Sequence, residues 1–577
     1  MIRTIFAALL LAGTAQAQIP GQSADQRLKT IYDAEWQWRM AQTGQVPDGL
    51  DTRQGPRLPC ETPACQIRRQ LYWQLVLVQL AAIPDAQLSA EERLNKAVLT
   101  ESLRAQVTSI GWRAFEMPIN SDSNFWQYLP AETPLQTEAQ YRDYIGRMRD
   151  IPRWFDEHVA NMRAGLKRGF TPPAITMRGR DDTLAGQIKP GADSPFFAPF
   201  RRMPATIAPG VQTALQAEAV SVIDVVVNPA QTRLLGFLRG DYLLGARTTT
   251  AAMDMPGGLA WYRDQVRAFT TLPLSPDAIH ELGLSEVARI DADMQATMRT
   301  AGFTGDFKSF LVFLRTDPQF YAKTPNELLG FSALVMKKMD GKLDQVFTTL
   351  PRKRFTLRAV PDAIAPVYTS GRGGLDACYM NTYDLKSRPL YNLVSLTLHE
   401  CVPGHSHQAA MALEAPARPP FRRRTYFSGY GEGWGLYTEW LGTKLGMYET
   451  HYEEFGRETF EMWRAARLVI DTGLHTRGWT RDQAIAYLED HTALARRDIE
   501  VEVDRYISWP GQALAYKLGE LKIRELRGRA EAELGPRFDQ RPFHDTLLGL
   551  GSVPLPVMES EMLAWIAREK AKVTVAR

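Results

Sequence analysis

The chain has 577 residues, 45% hydrophobic, 23% charged and 10% aromatic, and its 68 Lys and Arg against 65 Asp and Glu leave a formal charge of only +3. That balance excludes a disordered, collagenous or polybasic chain and gives no reason to expect a nucleic-acid or anionic-membrane partner. The length suits about two to four ordinary domains, or one large body built around a cleft.

In chain order, Met1 to Thr4 carries one positive charge, Ile5 to Leu11 is apolar and Ala15-Gln16-Ala17 supplies small residues for cleavage. Together they predict a signal peptide over residues 1–17 and an exported mature chain, periplasmic or extracellular, from Gln18. The apolar run is much shorter than the roughly 20 residues of a membrane-spanning helix. No later segment is read as a span, and no Cys follows the run to carry a lipid anchor.

Helix signals then dominate. Ser23-Ala24-Asp25-Gln26 reads as a capping box for a helix through Trp38, and 90–115 and 137–166 have the three- and four-residue apolar spacing of amphipathic helices. Cys60 and Cys65 sit in a short Pro-containing loop, where an oxidising compartment allows a local bridge or leaves two thiols. Residues 179–210 read as a loop excursion. Ser275-Pro276 opens another helix with Gly283 as its stop, and Thr324-Pro325-Asn326-Glu327 opens a third. Near Pro351 the pattern changes: Phe355, Leu357 and Ala359 alternate with polar residues, and Val367-Tyr368 and Cys378-Tyr379-Met380 are short apolar runs, which predicts a small sheet before helices resume. The expectation is a mainly α protein, with an N-terminal helical region over 18–350 and a catalytic region over 351–577 forming one cleft-containing body.

The segment from Ser395 to Gln408 holds three of the nine histidines beside a carboxylate. The nearest mechanistic template is His-Glu-x-x-His on a helix, in which two imidazoles hold zinc and the Glu acts as general base, a role that falls here to Glu400. The residue four after His399 is Pro403, however, and His405 would lie about 240° around a straight helix from His399. Pro403 and Gly404 predict a kink or bulge that swings His405 back, with His407 as a fallback ligand. On a helix through Gly429 to Glu439, Glu432 and Glu439 share a face, one placed to ligate and the other to back a ligand histidine. Two His and one Glu form a catalytic zinc set; the competing reading is a polar core without metal. Cys378 and Cys401 flank this segment and are compatible with a second bridge. Arg422-Arg423-Arg424 reads as a solvated face.

The run His-Glu-x-x-Pro-Gly-His with Gln408, the Glu432-Gly433-Trp434 block and later blocks resemble the secreted bacterial domain-of-unknown-function 885 family, which is itself similar to gluzincin metallopeptidases such as carboxypeptidase Taq and angiotensin-converting enzyme. The resemblance covers most of the mature chain and is most specific from Pro273 to Trp565; Ser406 and His407 depart from it. It implies a zincin-like helical metallopeptidase fold with a small sheet beside the metal helix, and peptidase-type hydrolysis. It further implies that His475, read as lying in a turn after a helix stop at Gly473, stabilises the tetrahedral intermediate or binds substrate; the competing reading is a turn hydrogen bond alone. The Pro510-Gly511-Gln512-Ala513 block implies that Tyr516 reaches the metal. Arg467 is implied to orient a carboxylate, and Tyr379 to Asn381 to meet extended substrate. The resulting expectation is an exported zinc hydrolase of a peptide substrate: ligands His399, His405 and Glu432; catalytic Glu400, Tyr516 and His475; substrate contacts Tyr379, Asn381 and Arg467; supporting residues Gln408 and Glu439. Its rivals are a non-catalytic peptide- or ligand-binding protein on a degenerate zincin scaffold, and a zinc hydrolase of a non-peptide amide or ester.

Overall fold

The computed structural model describes residues 22–48, 51–121, 123–131, 134–362, 364–416 and 418–572, so the expected signal peptide lies outside the described residues. The protein is mainly α, as expected, and its contacts divide it into two compact units, Met1–Thr249 and Thr250–Arg577.

In the first unit, α1 (Ala24–Gln42) starts at the expected capping box: the Ser23 hydroxyl accepts from the Gln26 N–H while the Gln26 side chain accepts from the Ser23 N–H. A short antiparallel hairpin of β1 (Gln45–Asp48) and β2 (Asp51–Gln54) follows, which the sequence reading did not foresee. Cys60 and Cys65 are bridged just before α2 (Pro63–Ala81). Then come α3 (Ala90–Gly111), α4 (Glu138–Arg168) and, after short helical turns where a loop was expected over 179–210, a continuous helix α5 (Pro209–Gly245) with wider turns at Ile223–Val227 and Leu238–Tyr242. The aromatic face of α4, with Tyr141, Tyr144, Trp154 and Phe155, shares a core with Leu215, Ala219, Val227 and Leu234 of α5. Among the described residues α5 alone is long and apolar enough, by length and composition, to cross a membrane. This corrects the expectation that no later segment qualifies, and the reason is local: the apolar run of α5 supplies a core-facing stripe.

The second unit begins before the small sheet. Helix α6 (Pro276–Thr300) does not stop at Gly283 as expected, because that glycine lies where α6 crosses α11 (His451–Thr476). A Cβ at 283 would stand 2.7 Å from the Leu468 Cβ, so the residue is small for packing and not for termination. After α7 (Pro325–Asp340) come β3 (Thr356–Ala359), β4 (Gly371–Arg372) and β5 (Ala377–Met380) in the order β3-β5-β4. The central strand β5 runs parallel to β3, with Leu357 opposite Cys378, and antiparallel to β4, with Arg372 opposite Tyr379. The helices that follow and bear on the site are α8 (Leu390–Glu400), α9 (His405–Glu414), α10 (Ser428–Lys444), α12 (Arg481–His491), α13 (Arg496–Ser508) and α14 (Ala515–Leu534). Alongside its apolar core this unit buries charge. Lys517 on α14 is completely enclosed by carboxylates of Glu286 (3.1 Å), Glu461 (3.1 Å) and Glu520 (2.9 Å), and Arg457 adds a second cation 2.7 Å from Glu461.

Candidate metal centre

The local sequence breaks one helix into two. Helix α8 ends at Glu400, the chain turns through residues 401–404 with a cis Val402–Pro403 bond, and α9 begins at His405. The expected kink is thus a full interruption. Gly404 is required in it, since a Cβ there would lie 1.8 Å from the His399 carbonyl oxygen, and the Trp434 indole N–H fixes the turn by donating to the Pro403 carbonyl at 2.9 Å.

The break places His405 edge-on to His399, with ring centroids 4.8 Å apart. Helix α10 delivers Glu432 between them: its Oε2 is 3.3 Å from His405 Nε2 and 3.7 Å from His399 Nε2. One ligand atom from each of the three residues lies within 4.8 Å of the others. Helix α10 approaches this closely because Gly435 faces the imidazole; a Cβ there would stand 2.7 Å from His399 Nε2.

Glu439, one heptad along α10, accepts at 2.7 Å from His399 Nδ1 and lies 3.4 Å from Arg464 Nη2. That contact fixes the ring so that Nε2 faces Glu432, the carboxylate–histidine arrangement found behind metal ligands. Burial by itself would lower the His399 pKa, but hydrogen bonds to Glu432 and Glu439 and the neighbouring carboxylates raise it to about 9. Burial likewise pushes the Glu432 carboxyl up, and the two histidines beside it outweigh this and hold it well below the usual carboxylate range. Two imidazole nitrogens and one carboxylate oxygen, converging with the second ring nitrogen of His399 committed to a carboxylate, fit zinc by ligand type.

Glu400, next to His399, accepts from the Gly373 N–H at 2.6 Å. On the other side, the Tyr516 ring stacks on His399 with centroids 6.3 Å apart, and its hydroxyl accepts from Arg505 at 3.2 Å. Burial raises the Tyr516 pKa, opposed by Arg505, so the phenol stays protonated and able to donate. Three contributors escaped sequence reading: Tyr426, whose hydroxyl donates to Glu432 Oε1 at 3.2 Å, Arg505, and the Gly373-Gly374 turn. The glycine pair was the one legible signal among them.

Other expected residues are placed elsewhere. His475 is not in a turn: α11 runs through Gly473, whose missing Cβ makes room for Trp479, and His475 sits in the last helical turn, completely buried. Its Nδ1 accepts from the Ala252 N–H at 3.0 Å and its Nε2 donates to the Tyr506 carbonyl at 2.9 Å, so both nitrogens are committed to backbone and neither is offered to an oxyanion. Arg467 is buried and holds Glu502 at 2.8 Å, with its guanidinium 4.3 Å from the Tyr516 ring; it orients a carboxylate, but one of the protein. Both ladders of β5 are occupied by β3 and β4, which leaves no strand edge at Tyr379. Asn381 is buried, donating to the carbonyls of Ala365, Tyr368 and Thr369. The strand beside Glu400 is β4, where a Cβ on Gly371 would stand 3.5 Å from Glu400 Cγ, and among the described residues β4 pairs only with β5. His407 points away from the cluster and stacks on Phe347, its pKa lowered to about 4 by burial. Gln408 lies beside Tyr430 and makes none of the cluster's contacts.

Residues 49–562 match a family described as a bacterial protein of unknown function (DUF885), and the chain belongs to that family. No curated protein matches it. Two solved structures, each described as a "putative lipoprotein", share the fold. One, from Colwellia psychrerythraea, is 27% identical with a TM-score of 0.86, covering 95% of this chain and 100% of that one. The other, from Shewanella oneidensis, is 16% identical with a TM-score of 0.69, covering 94% and 100%, and is alike in fold alone.

Proposed function

We propose that this protein is an exported, zinc-dependent hydrolase of peptidase type with a zincin-like site. The observation that carries the reading is the convergence of His399, His405 and Glu432, with Glu439 behind His399 and a further carboxylate, Glu400, adjacent in sequence and outside that triad. A zinc ion held by the three ligands would polarise a scissile carbonyl and lower the pKa of water. Glu400 takes the proton of the attacking water at its carboxylate and returns it to the leaving amine, with the Gly373 N–H fixing the orientation of that carboxylate. Tyr516, kept as a neutral phenol beside Arg505, donates to the developing oxyanion from the side of the cluster where its ring meets His399. His475 has no part in this scheme. Export is read from the N-terminal segment and accords with the description of the two structural relatives as "putative lipoprotein".

The test is metal analysis of the purified protein joined to peptide cleavage. Stoichiometric zinc, removed by a chelator together with hydrolysis and restored with it, is the expected result. Glu400→Gln is expected to retain zinc and lose about 10² to 10⁴ in rate. Full activity in that variant, or a protein that binds no zinc, would overturn the reading.

A further inference from the structure

The segment that joins β4 to β5 grips both sides of the helix interruption. On one side the Gly373 N–H holds the Glu400 carboxylate at 2.6 Å. On the other the Gly374 N–H donates to Ser406 Oγ at 3.0 Å, and that hydroxyl donates on to the Glu400 carbonyl at 3.1 Å. The approach is too close for any side chain, because a Cβ on Gly373 would stand 2.4 Å from both the Glu400 carbonyl oxygen and the His405 Cβ. Such a turn is only as well placed as the strand behind it. That strand, β5, is tied covalently to the same point of the helix: Cys378 is bridged to Cys401, the residue after Glu400. Both cysteines are completely buried. The backbone closes the circuit, with the His407 N–H donating to the Cys401 carbonyl at 3.1 Å.

We infer that the Cys378–Cys401 bridge and the Gly373-Gly374 turn form one clasp that positions Glu400 against the metal ligands, so that the hydrolysis proposed above depends on this bridge and not on Cys60–Cys65. The dependence on hydrolysis rests on the function proposed above; the clasp itself rests on the hydrogen bonds and the bridge. Two of the ligands have supports outside the clasp, His399 through Glu439 and Gly435 and Glu432 through the Tyr426 hydroxyl, whereas His405 borders it. Loss of the clasp therefore displaces Glu400 more than it displaces His399 and Glu432. Cys378 and Cys401 touch no reacting atom and are positioning residues.

The experiment compares the mature full-length protein with C378A/C401A and, as a control, C60A/C65A, by amide hydrogen exchange, zinc content and steady-state peptide cleavage. In C378A/C401A, exchange is expected to accelerate over 371–374 and 400–407 and to stay unchanged elsewhere in Thr250–Arg577, with zinc retained. The rate constant kcat is expected to fall about 10²-fold, as for a misplaced catalytic group, while KM stays within about twofold. C60A/C65A is expected to change none of these. Unchanged exchange at 371–374 and 400–407, or acceleration spread evenly through the unit, overturns the clasp whatever the activity. Should C378A/C401A fail to fold, Ser406→Ala, which cuts only the Gly374 and Glu400 links, must accelerate exchange at Gly374 or the clasp is overturned. Absence of hydrolysis in the wild type refutes the proposed function alone, leaving the clasp to be decided by exchange.

Discussion

The α4–α5 interior of the first unit and the surroundings of the candidate site in the second bury different things. In the first, the interior shared by α4 and α5 is aliphatic and aromatic, and its buried histidine, His158, lies against Phe125 and Trp154 with neither ring nitrogen hydrogen-bonded. In the second, charged groups are buried in pairs and networks: Lys517 with three carboxylates, Arg467 with Glu502, and His399 between Glu432 and Glu439. Apolar burial stabilises a fold without directing any field, whereas fixed, paired charges in a low-dielectric interior cost desolvation and set the potential at a neighbouring site. The difference teaches that the second unit surrounds its candidate metal site with buried paired charge, while the α4–α5 interior of the first is apolar and its buried ion pairs, such as Glu116 with Arg168 and Asp150 with Arg153, lie outside that core.

Four substitutions sharpen or break that contrast, from the largest expected effect down. Glu400→Gln acts only on chemistry, and its rate loss is to be measured with the folding midpoint unchanged. Lys517→Met leaves Glu286, Glu461 and Glu520 around a missing cation and is expected to lower unfolding stability by about 3–5 kcal/mol, read by urea titration; a loss under about 1 kcal/mol would show the network to be incidental. Glu439→Gln, which removes the carboxylate behind His399, is expected to weaken zinc binding about 10- to 100-fold in chelator competition. His158→Leu, in the aromatic interior, is expected to stabilise by about 1 kcal/mol, because two unpaired buried polar atoms disappear.

The last substitution also has a pH signature. Burial holds the His158 pKa down to about 3 in the folded chain, against about 6.5 unfolded. Below pH 6.5 the unfolded state therefore binds the extra proton, and stability is lost as pH falls from 6.5 towards 3. The advantage of His158→Leu over wild type is expected to widen across that window and to be constant above it, which thermal melts at pH 5 to 8 will show.

Much of the fold was legible in the sequence wherever a local mechanism wrote it there. The box at Ser23 forms as capping chemistry requires, and the alternation at Phe355 to Ala359 marks a real strand. Both misread helix ends, Gly283 and Gly473, share a cause: a glycine that admits a neighbouring side chain looks, in one dimension, like a glycine that ends a helix. At the candidate site the convergence of His399, His405 and Glu432 and the place of Glu439 behind His399 were legible from residue type and heptad spacing. His475 was misplaced because its partners, Ala252 and Tyr506, are distant in sequence. Arg505 and Tyr426 were missed for the same reason, since each acts through a contact that only the tertiary structure creates.

The six-residue interval between the histidines has one more consequence. A pair of ligands one turn apart on a single helix can pre-exist in a peptide, but here each donor rides on its own helix, α8, α9 or α10, and no two are aligned until the interruption at 401–404 is packed. Retention of the proposed metal would then be a property of the whole Thr250–Arg577 unit. Zinc that binds only the folded form would add stability by mass action, so its release during a denaturant titration would serve as a built-in gauge of cooperativity, reporting whether these three helices come apart together or one at a time.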